Sequence, residues 1–178
     1  MGMSTVIDGS ASVTINSGAI LGITSGTAVA STSGTSIDFT GIPSWVKRIT
    51  VMLNGVSTSG SALPRIQLGS GSPTTSGYLG AQIGITAGQA VGGANLSAGF
   101  EIQAFSPSAA SAYSGAVTFT LTTGNTWTGV GLVGQQASSS LGVVAGYVPL
   151  AGVLDRVRIT TANGTDTFDA GTINILYE

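Results

Sequence analysis

The sequence predicts an all-β protein, an antiparallel, jelly-roll-like β-sandwich that follows a short N-terminal β arm. Short stretches of β-branched residues recur along the chain, and Gly, Ser and Asn separate them at roughly 8 to 12 residue intervals. Apolar and polar residues alternate most clearly over residues 114–121, where Val117, Phe119 and Leu121 share one strand face. Long apolar runs with helical spacing are missing. These three observations together favour strands joined by tight turns.

The composition indicates a folded chain that needs no covalent or metal support. Its 178 residues are 42% hydrophobic, which argues against disorder, and include no cysteine. A chain of this size buries roughly 70% of its unfolded surface, so neither disulfides nor a metal are required for stability. We expect one sandwich domain.

The low charge excludes two classes of partner. Five basic and seven acidic residues give a net charge of −2, which cannot build the positive field that nucleic acid or anionic lipid requires. No run approaches the roughly 20 apolar residues of a membrane span, and the start lacks the pattern of a signal peptide. We therefore expect no nucleic-acid partner, no membrane insertion and synthesis in the cytoplasm.

The N-terminal segment differs in composition from the rest of the chain. Residues 4–34 contain no aromatic residue and only short strand-like pieces, at residues 5–7, 12–15 and 19–21. We interpret residues 1–34 as an attachment or oligomerisation arm and residues 35–178 as the sandwich. The arm is predicted to dock on the main domain or on a neighbouring subunit, with exposed strand edges paired in an oligomer.

Two further patterns predict particular strands. Residues 46–51 and 156–160 each open a strand with basic residues, and we expect them at related positions in two sheets, with Ile and Val inward. The Asn163-Gly164 pair suits a tight turn, and residues 172–177 form a strand after it.

The chain lacks the residue types that most catalytic mechanisms use. The chain has no histidine and no cysteine, which removes the usual general base and the thiolate nucleophile. A Ser-Lys mechanism would have to use Lys47, the only lysine, which lies in a predicted surface strand flank. We expect no enzyme and no catalytic residue.

Two motifs resemble binding sites only formally. Residues 129–134 match the G-x-G-x-x-G fingerprint, but no helix follows and Asp155 belongs to another turn, so we assign no cofactor. The oxygen-rich residues 163–171 carry Asp166 and Asp169, which either share a calcium ion or accept backbone N–H bonds in turns. The second interpretation is favoured, and we assign no metal ligand.

The aromatic residues are few and are expected in the core or in subunit interfaces. Trp45 follows a turn and is placed at the end of the sandwich. Trp127 has turn-forming, polar neighbours on both sides, so we predict that it makes a surface contact.

Three segments carry a resemblance to a known family. Residues 35–52, residues 157–175, and residues 66–69 followed by 76–78 resemble a module of tail-fibre and other virion proteins of tailed bacteriophages. The resemblance covers roughly residues 34–178. It implies a β-sandwich, a structural or adhesive role, a homotrimer for many relatives, and no catalytic residues.

The resemblance also implies a place in the virion. The expected function is a tail-fibre component for host attachment, made in the bacterial cytoplasm and contacting other virion proteins and a host surface glycan or protein. Relatives often end a long fibre, whereas only a short arm precedes the module here. Capsid decoration, as a cement or head-fibre protein, is therefore the alternative, and a carbohydrate-binding module is a weaker one.

Overall fold

A computed structural model describes residues 22–88, 90–102, 107–136 and 139–178, together with the backbone of two short strands at residues 13–15 and 18–20. Within these residues the chain forms strands and turns and no helix, which confirms the all-β prediction. No described segment forms a helix that could cross a membrane. In chain order the strands are β1 (Val13–Ile15), β2 (Gly18–Ile20), β3 (Thr24–Ser25), β4 (Val29–Ala30), β5 (Ser36–Thr40), β6 (Arg48–Thr58), β7 (Pro64–Ser70), β8 (Ser72–Pro73), β9 (Leu79–Thr86), β10 (Val91–Asn95), β11 (Phe100–Glu101), β12 (Tyr113–Thr123), β13 (Thr126–Gln135), β14 (Ser140–Pro149), β15 (Arg156–Thr161) and β16 (Phe168–Tyr177).

The strands build two packed antiparallel sheets, as the sandwich prediction requires. The large sheet has nine strands in the order β10-β9-β14-β13-β12-β6-β16-β3, with β4 also paired to β16. The small sheet has five strands in the order β11-β7-β15-β5, with β8 paired to β7. Strands β1 and β2 pair only with each other within the described residues.

The first and last parts of the sandwich domain meet in both sheets. Strand β5 pairs with β15 in the small sheet, where Ile37 lies opposite Ile159. Strand β6 pairs with β16 in the large sheet, where Val51 lies opposite Ile175. The first and the last of the four crossings from the small sheet to the large sheet, β5 to β6 and β15 to β16, therefore run side by side.

The hydrophobic core lies between the two sheets. An aromatic cluster forms its centre: the rings of Tyr78 and Phe100 have centroids 5.4 Å apart, and those of Phe100 and Phe119 are 4.9 Å apart. Edge-to-face contacts of this kind contribute about 0.5–1.5 kcal/mol beyond area burial. Aliphatic side chains from both sheets surround the cluster, among them Ile49, Val51, Val56, Ile66, Leu68, Val117, Val157, Ile159 and Ile173.

Alternation along the strands follows the predicted pattern. Val117 and Phe119 are fully buried on the inner face of β12, whereas Ala116 and Thr118 on its other face are only partly covered. In β6 and β15 the Ile and Val residues point inward, while Arg48 is exposed and Arg158 is partly exposed. The prediction that these two basic strand starts lie in two different sheets, with Ile and Val inward, is confirmed.

The described part of the N-terminal arm belongs to the large sheet. Ser25 of β3 lies opposite Leu176, and Val29 of β4 lies opposite Ile173. The Ser31 hydroxyl donates a 2.7 Å hydrogen bond to the carbonyl of Ala170. This stretch docks on its own domain, one of the two predicted arrangements. Strands β1 and β2 match the predicted pieces at residues 12–15 and 19–21, and the predicted piece at residues 5–7 lies outside the described residues.

Candidate functional site

The two outer faces of the sandwich differ sharply in charge. Residues 66–154 contain a single charged residue, Glu101. Five neighbouring strands of the large sheet, β10, β9, β14, β13 and β12, therefore carry no charge at all. Most charged side chains of the described residues lie instead on the small sheet and at the ends of strands.

Charges on the small sheet are arranged in pairs. Arg158 donates hydrogen bonds of 2.7 and 2.9 Å to the two carboxylate oxygens of Asp38 across the β5–β15 pair. Arg156 donates to Asp155, whose carboxylate also accepts from the backbone N–H of Gly71. These hydrogen bonds lower the pKa of Asp155, and the bond from Arg156 has the largest effect. Exposed pairs of this kind contribute at most about 1 kcal/mol each and typify a hydrated face.

A third ion pair lies within the small sheet and is hydrogen-bonded to the large sheet. Arg65 of β7 donates a 2.9 Å hydrogen bond to Glu101 of β11, and both side chains are only 15% exposed. The other carboxylate oxygen of Glu101 accepts a 3.0 Å bond from the Nε2 atom of Gln82, on β9 of the large sheet. The Oε1 atom of Gln82 is buried without a partner. With Arg65 and Gln82 both donating to it, Glu101 is placed to hold the sheets together.

The outer side of the large sheet carries an exposed apolar surface. We call it the apolar sheet face, and define it by eight exposed side chains: Leu79, Ile83, Ile85, Val91, Val130, Leu132, Leu141 and Tyr147. Their exposed fractions run from 41% for Leu141 to 67% for Val91. Large apolar side chains gathered on one surface mark an interaction site more often than isolated ones do.

Strand pairing makes this face continuous. Ile85 lies between Val91 on one side and Leu141 on the other. In the next row of the same face, Ile83 lies opposite Val143, and Val143 lies opposite Leu132. Directly paired residues on one face have Cβ atoms about 5 Å apart, so the apolar side chains contact one another across the strands.

Strand β13 shows why large residues point outward here. Its inner face carries Gly129 and Gly131, whereas Val130 and Leu132 point to the outside. A Cβ atom on Gly129 would lie 2.7 Å from the rings of Phe100 and Phe119. The glycines thus make room for the aromatic cluster. The G-x-G-x-x-G match at residues 129–134 lies within this strand, which contains none of the helix that a dinucleotide site needs.

Trp127 does not make the predicted surface contact. It occupies the second position of β13, on the inner face with Gly129 and Gly131, and only 2% of its surface is exposed. The expectation of exposure came from its turn-forming neighbours and was wrong, because the turn at Gly124 and Asn125 ends just before the strand begins. Trp45, by contrast, is 36% exposed and its ring lies 5.9 Å from that of Tyr177.

The Asn163–Asp166 turn is held together by its own hydrogen bonds. The Oδ1 atom of Asn163 accepts bonds from the backbone N–H groups of Thr165 and Asp166, at 3.0 and 3.2 Å. The two carboxylate oxygens of Asp166 accept from Asn163 Nδ2 at 2.7 Å and from the backbone N–H of Ala62 at 2.9 Å. These two bonds lower the pKa of Asp166, and the bond from Asn163 has the larger effect. The predicted role of Asp166 as a backbone N–H acceptor is confirmed.

Asp169 has a different role from the predicted one. It lies in β16 and accepts a hydrogen bond from the hydroxyl of Ser57, not from a backbone N–H. In the part of the chain that the structure describes, no three or more acidic, His or Cys residues are grouped as a metal site. Lys47 is exposed just before β6, as expected for a surface strand flank.

Known proteins offer no match. No family model matches the chain, and comparison with curated proteins and solved structures finds nothing significantly similar. Among the described residues, the apolar sheet face is the strongest candidate for a functional surface because its large exposed apolar side chains are contiguous. The sequence signal for it was available in the uncharged strands, but alternation alone does not tell which face of a glycine-containing strand points outward.

Proposed function

We propose that this chain is a structural protein of a bacteriophage virion, a tail-fibre component that takes part in host attachment as a homotrimer. The observation that carries the proposal is the position of the segments that resemble virion modules. Residues 35–52 contain β5 and the start of β6, and residues 157–175 contain most of β15 and β16. These segments pair with each other in both sheets.

A buried tyrosine links the two parts of the third resembling segment, residues 66–69 and 76–78. Tyr78 is 2% exposed, and its hydroxyl accepts a 3.0 Å hydrogen bond from the N–H of Leu68 and donates one to the carbonyl of Thr74. Burial raises the pKa of Tyr78, so the phenol stays neutral and serves as donor and acceptor at once. The resembling residues thus have structural roles in one connected unit.

The proposed role is one of packing and assembly, without catalysis. A virion protein works through contacts with other copies, with neighbouring virion proteins and with the host surface glycan or protein. An uncharged sheet face suits the first two kinds of contact because its burial needs no charge to be desolvated. Exposed loops at the ends of the sandwich are left for the host.

Capsid decoration is the second candidate. The apolar sheet face favours it too, since a decoration protein packs its largest apolar surface against the capsid shell. A carbohydrate-binding module has less support, because Trp127, the aromatic residue predicted to make a surface contact, is buried.

The position in the virion is tested by counting copies in purified particles of the phage that encodes the chain. A tail-fibre component is expected at a few to a few tens of chains per particle, and it co-purifies with tails after heads and tails are separated. Copies in the hundreds, associated with heads, would replace the tail assignment with capsid decoration. Particles that lack the chain would contradict both.

A further inference from the structure

We propose that the apolar sheet face is where copies of this chain pack against one another, the face of each copy against the same face of the next. The proposal deepens the assembly role given above and rests on it for its biological setting. It names the contact surface and its occupant, a second copy of this chain. Within the described residues this surface has no covering layer, whereas the inner side of the same sheet packs on the small sheet.

The size of the face matches the area that a stable contact needs. The face is four strands wide and extends over seven paired positions, from Leu79 and Tyr147 to Ile85 and Leu141. With strands about 4.8 Å apart and about 3.3 Å per residue, it measures about 19 by 23 Å, roughly 440 Å² in projection. Side chains that stand out from the sheet and the adjoining uncharged strand β12 add to this area. Specific interfaces bury about 600–1,000 Å² per partner, so the face with its surroundings reaches the lower end of that range.

The absence of charge determines which partner fits. A partner with charged side chains would have to desolvate them against strands that offer no opposite charge, which is costly. A partner as uncharged as the face itself has no such cost. A second copy presents that surface, and it is available wherever the first copy is made.

Large and small side chains alternate in patches on the face, which allows two copies of it to interdigitate. Its raised part contains Ile83, Ile85, Leu132 and Leu141, and beside it lies a lower shelf that includes the paired residues Ala81 and Ala145. Stacked sheets pack about 10 Å apart with side chains that interdigitate, so raised residues of one copy can occupy the shelf of another. A two-fold pair brings two whole faces together, whereas in a three-fold bundle each copy turns its face to the axis and shares it between its two neighbours. The proposed trimer is the second arrangement.

Single cysteines test the geometry, because the chain has none of its own. Leu132→Cys places a thiol on the face, and Val153→Cys places one at a comparably exposed position in the connection before β15; both residues are 55% exposed. Under mild oxidation at micromolar concentration, we expect Leu132→Cys to form disulfide-linked dimers and Val153→Cys to remain uncrosslinked. Equal cross-linking of the two variants would overturn the proposal.

A matched pair of lysine substitutions tests the energetics. Val130→Lys introduces a charge on the face, and Val153→Lys introduces the same change off it, at exposed fractions of 59% and 55%. Burying an unpaired ammonium group in the contact should weaken self-association by at least about tenfold, measured by sedimentation equilibrium. Val153→Lys should associate like the unchanged chain. If Val130→Lys associates equally well, the face is not the contact.

The remaining outcomes are also decisive. An unchanged chain that stays monomeric up to high micromolar concentration contradicts the proposal. So does a monomer that associates only after residues 1–21 are deleted, since the chain's own N-terminal segment would then be the occupant. These measurements use purified protein, so their failure is distinct from failure of the virion assignment, which is tested by copies per particle.

Discussion

At the scale of single residues, the position of Trp127 follows from strand alternation. It is the first inward residue of β13, and the next inward positions are Gly129, Gly131 and Val133. A neighbouring cluster that includes Val46, Leu121 and Leu154 surrounds a small cavity with it at the end of the sandwich. The indole therefore closes one end of the core.

Replacing this side chain should cost stability. Trp127→Ala removes a buried aromatic group and leaves a cavity, so the free energy of unfolding should fall by about 3–5 kcal/mol. Urea denaturation followed by circular dichroism measures the change. Trp45→Ala, at a position 36% exposed, serves as the control and should cost clearly less. A stable Trp127→Ala variant with impaired host adsorption would instead restore the surface role that the structure excludes.

Residue roles were predictable only where local chemistry decides them. The Asn163-Gly164 turn follows from two residue types, and Gly164 has the left-handed φ of 69° that glycine adopts most readily. Asp166 accepts a backbone N–H bond, as its place in a turn indicated. The donor, however, is Ala62, more than a hundred positions away, and no local pattern identifies such a partner.

At the scale of strands, β13 combines a glycine face with an aliphatic face. Its neighbour β12 has the usual order, with Val117 and Phe119 inside. In β13 the inner positions opposite these large residues are Gly131 and Gly129. Large residues on one strand thus fill the space that glycines leave on the next.

A methyl group at the inner position should disturb this packing. Gly129→Ala places a Cβ atom 2.7 Å from Phe100 and Phe119, so we expect a loss of about 1–3 kcal/mol from overpacking. Gly134→Ala in the same strand is the matched control, because its Cβ atom has only one neighbour within 4 Å, the Ser114 carbonyl oxygen at 3.7 Å. Thermal unfolding of both variants makes the comparison. Equal melting temperatures would mean that the aromatic cluster can shift without cost.

Strand existence was largely predictable, and strand orientation was not. Residues 114–121 and 172–177 carry enough β-branched and alternating residues to identify β12 and β16. From sequence alone, the aliphatic residues of β13 would be assigned to the core. Only the position of the Phe100 and Phe119 rings shows that the inner face of this strand needs glycine instead. Pairing between β5 and β15, which lie more than a hundred residues apart, depends on the whole fold.

At the scale of the whole molecule, charge is concentrated on the small sheet and at the β6–β16 end of the large sheet, and the rest of the large sheet is uncharged. Asp38, Arg65, Arg156 and Arg158 belong to the small sheet, whereas five adjacent strands of the large sheet are without charge. A hydrated face and the proposed contact face are thereby placed on opposite sides. This division fits a subunit that is covered on one side in an assembly.

The uneven distribution of charge between the two sheets predicts how salt affects self-association. Contacts through an apolar, uncharged face gain nothing from Coulomb attraction, so raising sodium chloride should leave the association constant unchanged. The Debye length falls from about 10 Å at 0.1 M to about 3 Å at 1 M ionic strength, which would weaken any contact made through paired charges. Sulfate, which is excluded from protein surfaces, should strengthen the contact. Sedimentation equilibrium in both salts gives the association constants, and a steep fall with sodium chloride would place the contact on the small sheet, where Arg158 and Asp38 lie.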